Sequence, residues 1–322
     1  MRYFDVFNGD ADGICALHQI RLAEPAESEL VTGVKREIEL LKRVRAGSGD
    51  LVTVLDISLD RNRGALFKLL EDGAQVRYFD HHAAHDIPDH PALEAMIDQS
   101  RDVCTSMLVD RYLGARYRPW AVAAAFGDNL ADCAVRLAAP LGLNASRLDV
   151  LRELGENLNY NAYGETESDL LVSPAALYRL IHAYADPFRL VRNEPVIAQL
   201  GHERKADLRQ ALAIEPQRAS IGAEAYLLPD VPWSRRVSGV FANHLAGTNP
   251  EFTHAVLTHN ARGGYTVSVR SPGNANVSAL DFCRQFTTGG GRLQAAGIDQ
   301  IEAAQLDAFL DEFERAFKLR RP

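Results

Sequence analysis

With 322 residues, 47% of them hydrophobic, the chain is long enough for two globular domains. Its net charge of -8 makes it a poor non-specific binder of long duplex DNA, and no apolar stretch reaches the roughly 18 residues of a membrane span. Cys15, Cys104, Cys133 and Cys283 are scattered with no Cys-x-x-Cys pair, and the N-terminus, with Arg2 and Asp5, is unlike a signal peptide, so a reducing, cytoplasmic setting is expected.

The apolar run Tyr3 to Phe7 predicts a strand, and Ile14 to Leu22 predicts a helix. Between them, Asn8-Gly9-Asp10-Ala11-Asp12-Gly13 forms a tight loop whose glycines allow close backbone approach. Its two carboxylates can reach two metal ions or two sides of one, although Asp-x-Asp-Gly alone is equally a surface turn. Leu30 to Val34 predicts a second strand, and Ile38, Leu41 and Val44 have helical spacing. After a turn at Gly47 to Asp50, Leu51 to Leu55 is a short apolar strand ending on Asp56. A helix with Leu66, Leu69 and Leu70 follows, then a strand from Ala74 to Phe79 that ends on Asp80-His81-His82. This alternation predicts a parallel α/β sheet.

In an open parallel sheet the carboxyl ends of the strands share one edge, where ligands bind. Asp10 and Asp12, Asp56, and Asp80-His81-His82 each follow a strand, so their charges gather on that edge. Cations would relieve the repulsion. The Ala-rich helix Pro119 to Phe126 ends in Gly127-Asp128, which adds a carboxylate suited to the same edge.

Leu130 to Ala213 is helical in pattern, with breaks expected at Pro140, Pro174, Pro187 and Pro195. The polar stretch Asn157 to Ser168 reads better as a solvated helix end or loop than as a site lining. Arg204, Lys205 and Arg209, interleaved with Glu203 and Asp207, read as a solvated face. His18, His182 and His202 read as structural or surface residues. A domain boundary is expected at Pro216 to Arg218. All of the excess acid precedes it, since 11 basic and 10 acidic residues follow position 216. Beyond it, Ala223 to Leu228, Ala255 to Thr258 and Tyr265 to Val269 predict strands; Val237 to Leu245, and an apolar stripe from Leu306 to Phe317, predict helices. Arg270 sits at a strand end. Gly289-Gly290-Gly291-Arg292 predicts a loop whose N–H groups and guanidinium suit phosphate oxygens.

Taken together, these motifs resemble the DHH phosphoesterases. That family carries His-x-Asp-x-Asp-Gly, a strand-end Asp, Asp-His-His and an acidic Gly-Asp motif. A C-terminal associated domain adds an Arg-Ser strand end and Gly-Gly-Gly-His-x-x-Ala-Ala-Gly. Here Asn8 and Arg292 replace the two histidines, and Ser271 and Ala295-Ala296-Gly297 match. The resemblance implies two α/β domains, 1–216 and 217–322, facing each other across a cleft. It implies two divalent cations, usually manganese, with magnesium an alternative. Asp10 and Asp56, with Asn8 in the histidine position, would bind one; Asp12, Asp56, His81 and Asp128 would bind the other, with Asp56 bridging. His82 would face the scissile phosphate. Arg270, Ser271, Gly289, Gly290, Gly291 and Arg292 would grip the rest of the substrate. The implied substrates are short single-stranded oligonucleotides, linear dinucleotides or nucleoside bisphosphates. A pyrophosphate or short polyphosphate hydrolase is one alternative. A non-catalytic nucleotide-binding protein with a centre degraded at Asn8 is another, against which the retained acids argue. Monomer and homodimer are both left open.

Overall fold

Apolar runs covered on both sides build the first sheet. The computed structural model describes residues 1–318, and the chain divides into two units, Met1–His202 and the part from Glu203 onward. The first unit opens with β1 (Tyr3–Phe7), α1 (Ala11–Ala23), β2 (Glu29–Val31), β3 (Leu51–Leu55), α2 (Leu59–Glu71), β4 (Gln75–Asp80) and β5 (Leu93–Ile97). The strands are all parallel, in the order β2-β1-β3-β4-β5. Helices α3 (Thr105–Tyr112), α4 (Arg118–Gly127), α5 (Ala131–Ala138), α6 (Ala145–Ala162), α7 (Pro174–His182), α8 (Pro187–Asn193) and α9 (Pro195–Leu212) follow, and the division between the units falls within α9.

Alternating strand residues face opposite cores. Phe4, Val6, Val52, Val54, Val76 and Tyr78 pack with Leu66, Leu69 and Leu70 of α2. Phe7, Leu55 and Phe79 pack on the other side with Ile14 and Leu17 of α1, Trp120 of α4 and Leu158 of α6. From β1 the chain turns to β2 on one side and then crosses to β3 on the other. The loops after β1 and β3 therefore diverge, leaving a crevice at the carboxyl ends of these two strands. Small residues bring α1, α4 and α6 close together there. A Cβ on Gly127 would lie 2.5 Å from Ala11 Cβ, and one on Gly155 would lie 1.8 Å from the Ala123 carbonyl oxygen.

Several expectations change in detail. The stretch Ile38 to Val44 keeps only a short 3-10 turn, Leu40–Arg43. The buried Asn62 side chain intercepts its backbone, accepting from Leu41 N at 3.2 Å and donating to the Ile38 carbonyl at 2.6 Å. The second strand ends at Val31, not Val34. Pro174, Pro187 and Pro195 begin helices, because a first-turn residue needs no N–H partner. Asn157, Tyr160 and Asn161 are buried, against the expectation of a solvated stretch. Asn161 accepts from Leu171 N and Val172 N and donates to the Val172 carbonyl, as a strand neighbour would. Asp207, expected on a solvated face, is buried against Arg236.

In the second unit, β6 (Arg218–Ser220), β7 (Ala223–Leu227), α10 (Pro232–Thr248), β8 (Thr253–His259), β9 (Gly264–Arg270), α11 (Ala279–Cys283), β10 (Gly289–Gly291), β11 (Ala295–Glu302) and α12 (Leu306–Phe317) follow α9. They form a mixed sheet, β10-β11-β9-β8-β7-β6, in which only β7 and β8 pair in parallel. Phe282 of α11 packs on Phe309, Phe313 and Phe317 of α12. The predicted Gly-rich loop is instead an edge strand, paired with β11. No helix among the described residues is long and apolar enough to cross a membrane.

The helix crossing at Gly155 is testable. Gly155→Ala should lower stability by at least about 1–3 kcal/mol in urea denaturation, because the new methyl meets backbone. Gly64→Ala, in open space inside α2, should raise it by roughly 0.5–1 kcal/mol.

Candidate metal centre

The turn after β1 is built for close approach. A Cβ at Gly13 would lie 2.2 Å from the Asn8 carbonyl oxygen, and one at Gly9 would lie 2.2 Å from that of Gly33. Asp10 caps α1, its Oδ1 accepting from Asp12 N at 3.0 Å and Gly13 N at 3.1 Å. Asp12 is buried, and its two oxygens accept from Thr105 N and Ser106 N, each at 2.7 Å. Those are the first N–H groups of α3, so a helix N-terminus holds this carboxylate. Asp56 follows β3 with φ 59°, a left-handed conformation costly for a non-glycine residue. It keeps the ladder through its N–H to the Phe79 carbonyl at 3.0 Å and accepts from Thr105 Oγ1 at 3.2 Å.

His81 joins these groups. Its Nδ1 lies 2.8 Å from the Val103 carbonyl, which can only accept, so Nδ1 carries a hydrogen and Nε2 is the nitrogen turned toward the carboxylates. Nε2 lies 3.3 Å from Asp56 Oδ1, 3.9 Å from Asp12 Oδ2 and 4.0 Å from Asp128 Oδ2. Asp80 is spent on the turn itself: its Oδ1 accepts from His81 N at 2.9 Å and His82 N at 3.2 Å and pairs with His82 Nδ1 at 2.7 Å. The His82 side chain is 44% exposed.

Asn8, Asp10, Asp12, Asp56, His81, His82 and Asp128 thus lie along one sheet edge, and Lys35 joins them. The Lys35 ammonium pairs with Asp10 Oδ2 and donates to Asn159 Oδ1 at 3.0 Å. Lys35, Asn159, Thr105 and Ser106 were missed in the sequence. A signal for Lys35 was present, because it follows the predicted strand Leu30 to Val34 on the same sheet edge. Thr105-Ser106 before a helical run was a second signal.

Part of the donor set has the spacing of a divalent-cation site. Two donors sharing one ion at about 2.1 Å lie at most about 4.2 Å apart, and the separations from His81 Nε2 all satisfy this. Among the described residues, Asp56, His81 and His82 are the group whose donors all lie within 4.8 Å of one another, and His82 Nδ1 is already engaged by Asp80. Other buried acids carry the chain's own cations: Asp5 pairs with Arg21, Asp10 with Lys35, Asp110 with Arg118 and Asp207 with Arg236. Among the described residues no lysine or arginine pairs with Asp12 or Asp56.

The electrostatics follow. Burial, then Asp10 and Asp12, raises the Asp56 pKa well above the ordinary value. Burial also raises that of Asp12; the nearby His81 opposes this without cancelling it. Burial pushes Asp10 up too, but the Lys35 ammonium and the hydrogen bonds outweigh it, and its pKa is lowered. Burial disfavours charged His82, yet the bond to Asp80 prevails and its pKa is raised.

The remaining predicted residues form a second group, in the second unit. Arg270 ends β9, with Nε donating to Asn243 Oδ1 at 2.8 Å. Ser271 Oγ accepts from Ala279 N at 2.9 Å, which holds the start of α11. A Cβ at Gly289 would lie 1.7 Å from the Cys283 carbonyl oxygen, and Gly291 has φ 136°. Gly290 faces open space, and the exposed Arg292 begins the hairpin turn.

A parallel sheet followed by a mixed-sheet unit is a fold the chain shares with solved structures. The chain is similar to a structure of exonuclease RecJ bound to manganese, with TM-score 0.63 and 19% identity over 98% of this chain and 89% of that one. It is similar to RecJ from Thermus thermophilus in complex with Mn2+, with TM-score 0.57 and 19% identity; 98% of this chain is covered but only 51% of that protein. It is also similar to PggH, a pGpG-specific phosphodiesterase from Vibrio cholerae, with TM-score 0.58 and 12% identity over 98% and 100% of the two chains. No protein-family model matches the sequence, and no curated protein matches it significantly.

The raised Asp56 pKa gives a pH test. In the metal-free folded chain Asp56 retains a proton that the unfolded chain releases above about pH 4, so its contribution to stability falls as pH rises from there through the raised pKa. Asp56→Asn removes that penalty. In excess chelator it should melt above the wild type at about pH 7, and the gap should close as pH falls toward about 4. Manganese should reverse the order. Thermal melts with and without Mn2+ check both signs.

Proposed function

We propose that this chain is a divalent-cation-dependent phosphoesterase acting on short oligonucleotides, linear dinucleotides or nucleoside bisphosphates. The observation that carries this reading is the His81 ring, held by Val103 with its Nε2 toward Asp12, Asp56 and Asp128. The fold shared with RecJ and PggH supports it. Asp12, Asp56, His81 and Asp128 would hold the ion, manganese or magnesium. Such an ion, when bound, lowers the pKa of a coordinated water and neutralises charge on the phosphoryl group.

The chain's own residues do the rest. Asp56 gives up its proton to become an ion ligand. Asp80 keeps the His82 imidazolium charged at pH values where a free histidine is neutral. His82 then donates a hydrogen bond to the phosphoryl oxygen or a proton to the departing alkoxide. Water, having lost one proton to solvent, forms the new P–O bond through its oxygen as the ester P–O bond breaks, and the departing alkoxide takes a proton from His82 or from solvent. In this reading residues 1–216 carry the chemistry and 217–322 grip the substrate. Arg292 and the open edge at Gly290 bind its non-scissile phosphate, while Arg270 and Ser271 hold the strand end that supports them.

A substrate panel tests the reading. Chelator should abolish hydrolysis of a linear dinucleotide, and Mn2+ should restore it. Faster turnover of pyrophosphate or short polyphosphate than of the dinucleotide would move the assignment to a base-independent hydrolase; no turnover of any of them would reject the enzyme reading. Arg292→Ala should lower kcat/KM on the dinucleotide by about 10- to 100-fold. On bis-p-nitrophenyl phosphate, which has no second nucleotide to grip, the loss should be much smaller. Equal losses on both substrates would make Arg292 structural.

A further inference from the structure

Around Asp10, the acidic edge is already neutralised by the chain itself. The Lys35 ammonium rests on Asp10 Oδ2, donates to Asn159 Oδ1 at 3.0 Å, and lies 5.5 Å from the centre of the Tyr163 ring. Its side chain is only 24% exposed. The backbone around it is pinned: Lys35 N donates to the Ala162 carbonyl at 2.9 Å, and the Lys35 carbonyl accepts from Asn8 Nδ2 at 3.4 Å. The other end of the Asn8 amide, Oδ1, accepts from Asp10 N at 3.3 Å. Asp10 Oδ1 is taken by Asp12 N and Gly13 N. Every donor that Asn8 and Asp10 could offer a cation therefore faces a partner within the protein.

The two features belong together. A histidine at position 8 could ligate an ion, but the ring nitrogen doing so would no longer be available to accept from Asp10 N, whereas the amide meets both Asp10 N and the Lys35 carbonyl. Asparagine at this position instead fastens the lysine-bearing loop. A divalent ion on Asp10 would share that carboxylate with an ammonium of like sign, against Coulomb repulsion in a largely buried place.

We propose that Lys35 takes the place of one of the two cations expected here, so that the centre works with a single divalent ion beside a built-in ammonium. This rests on reading Asp12, Asp56, His81 and Asp128 as that ion's ligands. Lys35 is then a positioning residue. It holds Asp10 in its capping geometry and supplies one fixed positive charge where an ion would supply two.

The test counts ions. Purified chain equilibrated with Mn2+ and freed of excess should carry one manganese per chain by elemental analysis. Its electron paramagnetic resonance should show the six-line pattern of an isolated Mn2+. Asn8→His with Lys35→Ala restores an imidazole and removes the ammonium; that double variant should carry two, with the broadened spectrum of a coupled pair. Two tightly bound ions in the wild type would overturn the Lys35 proposal and leave the phosphoesterase reading standing. No bound ion would overturn the metal reading itself. Lys35→Met should still bind one ion but lose at least about 100-fold in hydrolysis, with Lys35→Arg recovering part of it. Wild-type turnover by Lys35→Met would show that the ammonium is not needed and overturn the proposal.

Discussion

Burying several carboxylates on one edge of a parallel sheet is the constraint on which the rest of this structure depends. Asp10, Asp12, Asp56 and Asp80 are all almost fully buried. Charges so close in a poor dielectric cannot all remain ionised without compensation. The chain answers each one differently. Asp12 receives two N–H groups from a helix start, Asp80 spends an oxygen on two histidines, and Asp10 receives an ammonium. Asp56 receives one hydroxyl hydrogen bond, the weakest compensation of the four. Electrostatic need is therefore greatest at the atoms whose spacing suits an ion.

Backbone geometry shows the same priority. Asp56 holds a positive φ although glycine would adopt it more cheaply. Glycine has no carboxylate, so the strain persists at the one position where side-chain chemistry forbids relief. Asp5 lies two residues before the end of β1 and is neutralised by Arg21 and Ser28. A satisfied buried ion pair of that kind needs nothing from outside the chain.

The sequence made the sheet legible because buried parallel strands are short apolar runs, and each ended on a chemistry-bearing residue. Tyr3–Phe7 and Leu51–Leu55 have the expected limits. β5 and α3 were not read. The first is a half-exposed edge strand without a clean apolar run, and the second is a helix of only 8 residues. Local spacing also misread Ile38 to Val44, where the competing partner, Asn62, lies some twenty positions away. The glycine run was read as a loop because glycine disfavours strands; here Cys283 and Ala296 press so closely that Gly289 and Gly291 have no room for a Cβ. Of the centre itself, the acids and histidines were legible at strand ends. Lys35, Asn159, Thr105 and Ser106 act across long sequence separations, which no periodicity records.

The early end of β2 brings Lys35 to this place. Continuing that strand through Val34 would keep the chain in the sheet; instead it leaves at Val31 and is captured by α6, where Lys35 N meets the Ala162 carbonyl. The lysine thereby links the β1 turn, the loop after β2 and the polar end of α6. A metal ion on Asp10 could draw together only side chains with lone pairs. An ammonium on a covalent stem also fixes the backbone from which it grows, and it stays in place whatever the supply of metal. It carries half the charge, however, and cannot activate a water as a Lewis acid. On the proposal of a single ion, Asp10 and Lys35 organise the turn that presents Asp12, and Asp12, Asp56, His81 and Asp128 are the residues left to meet an external cation.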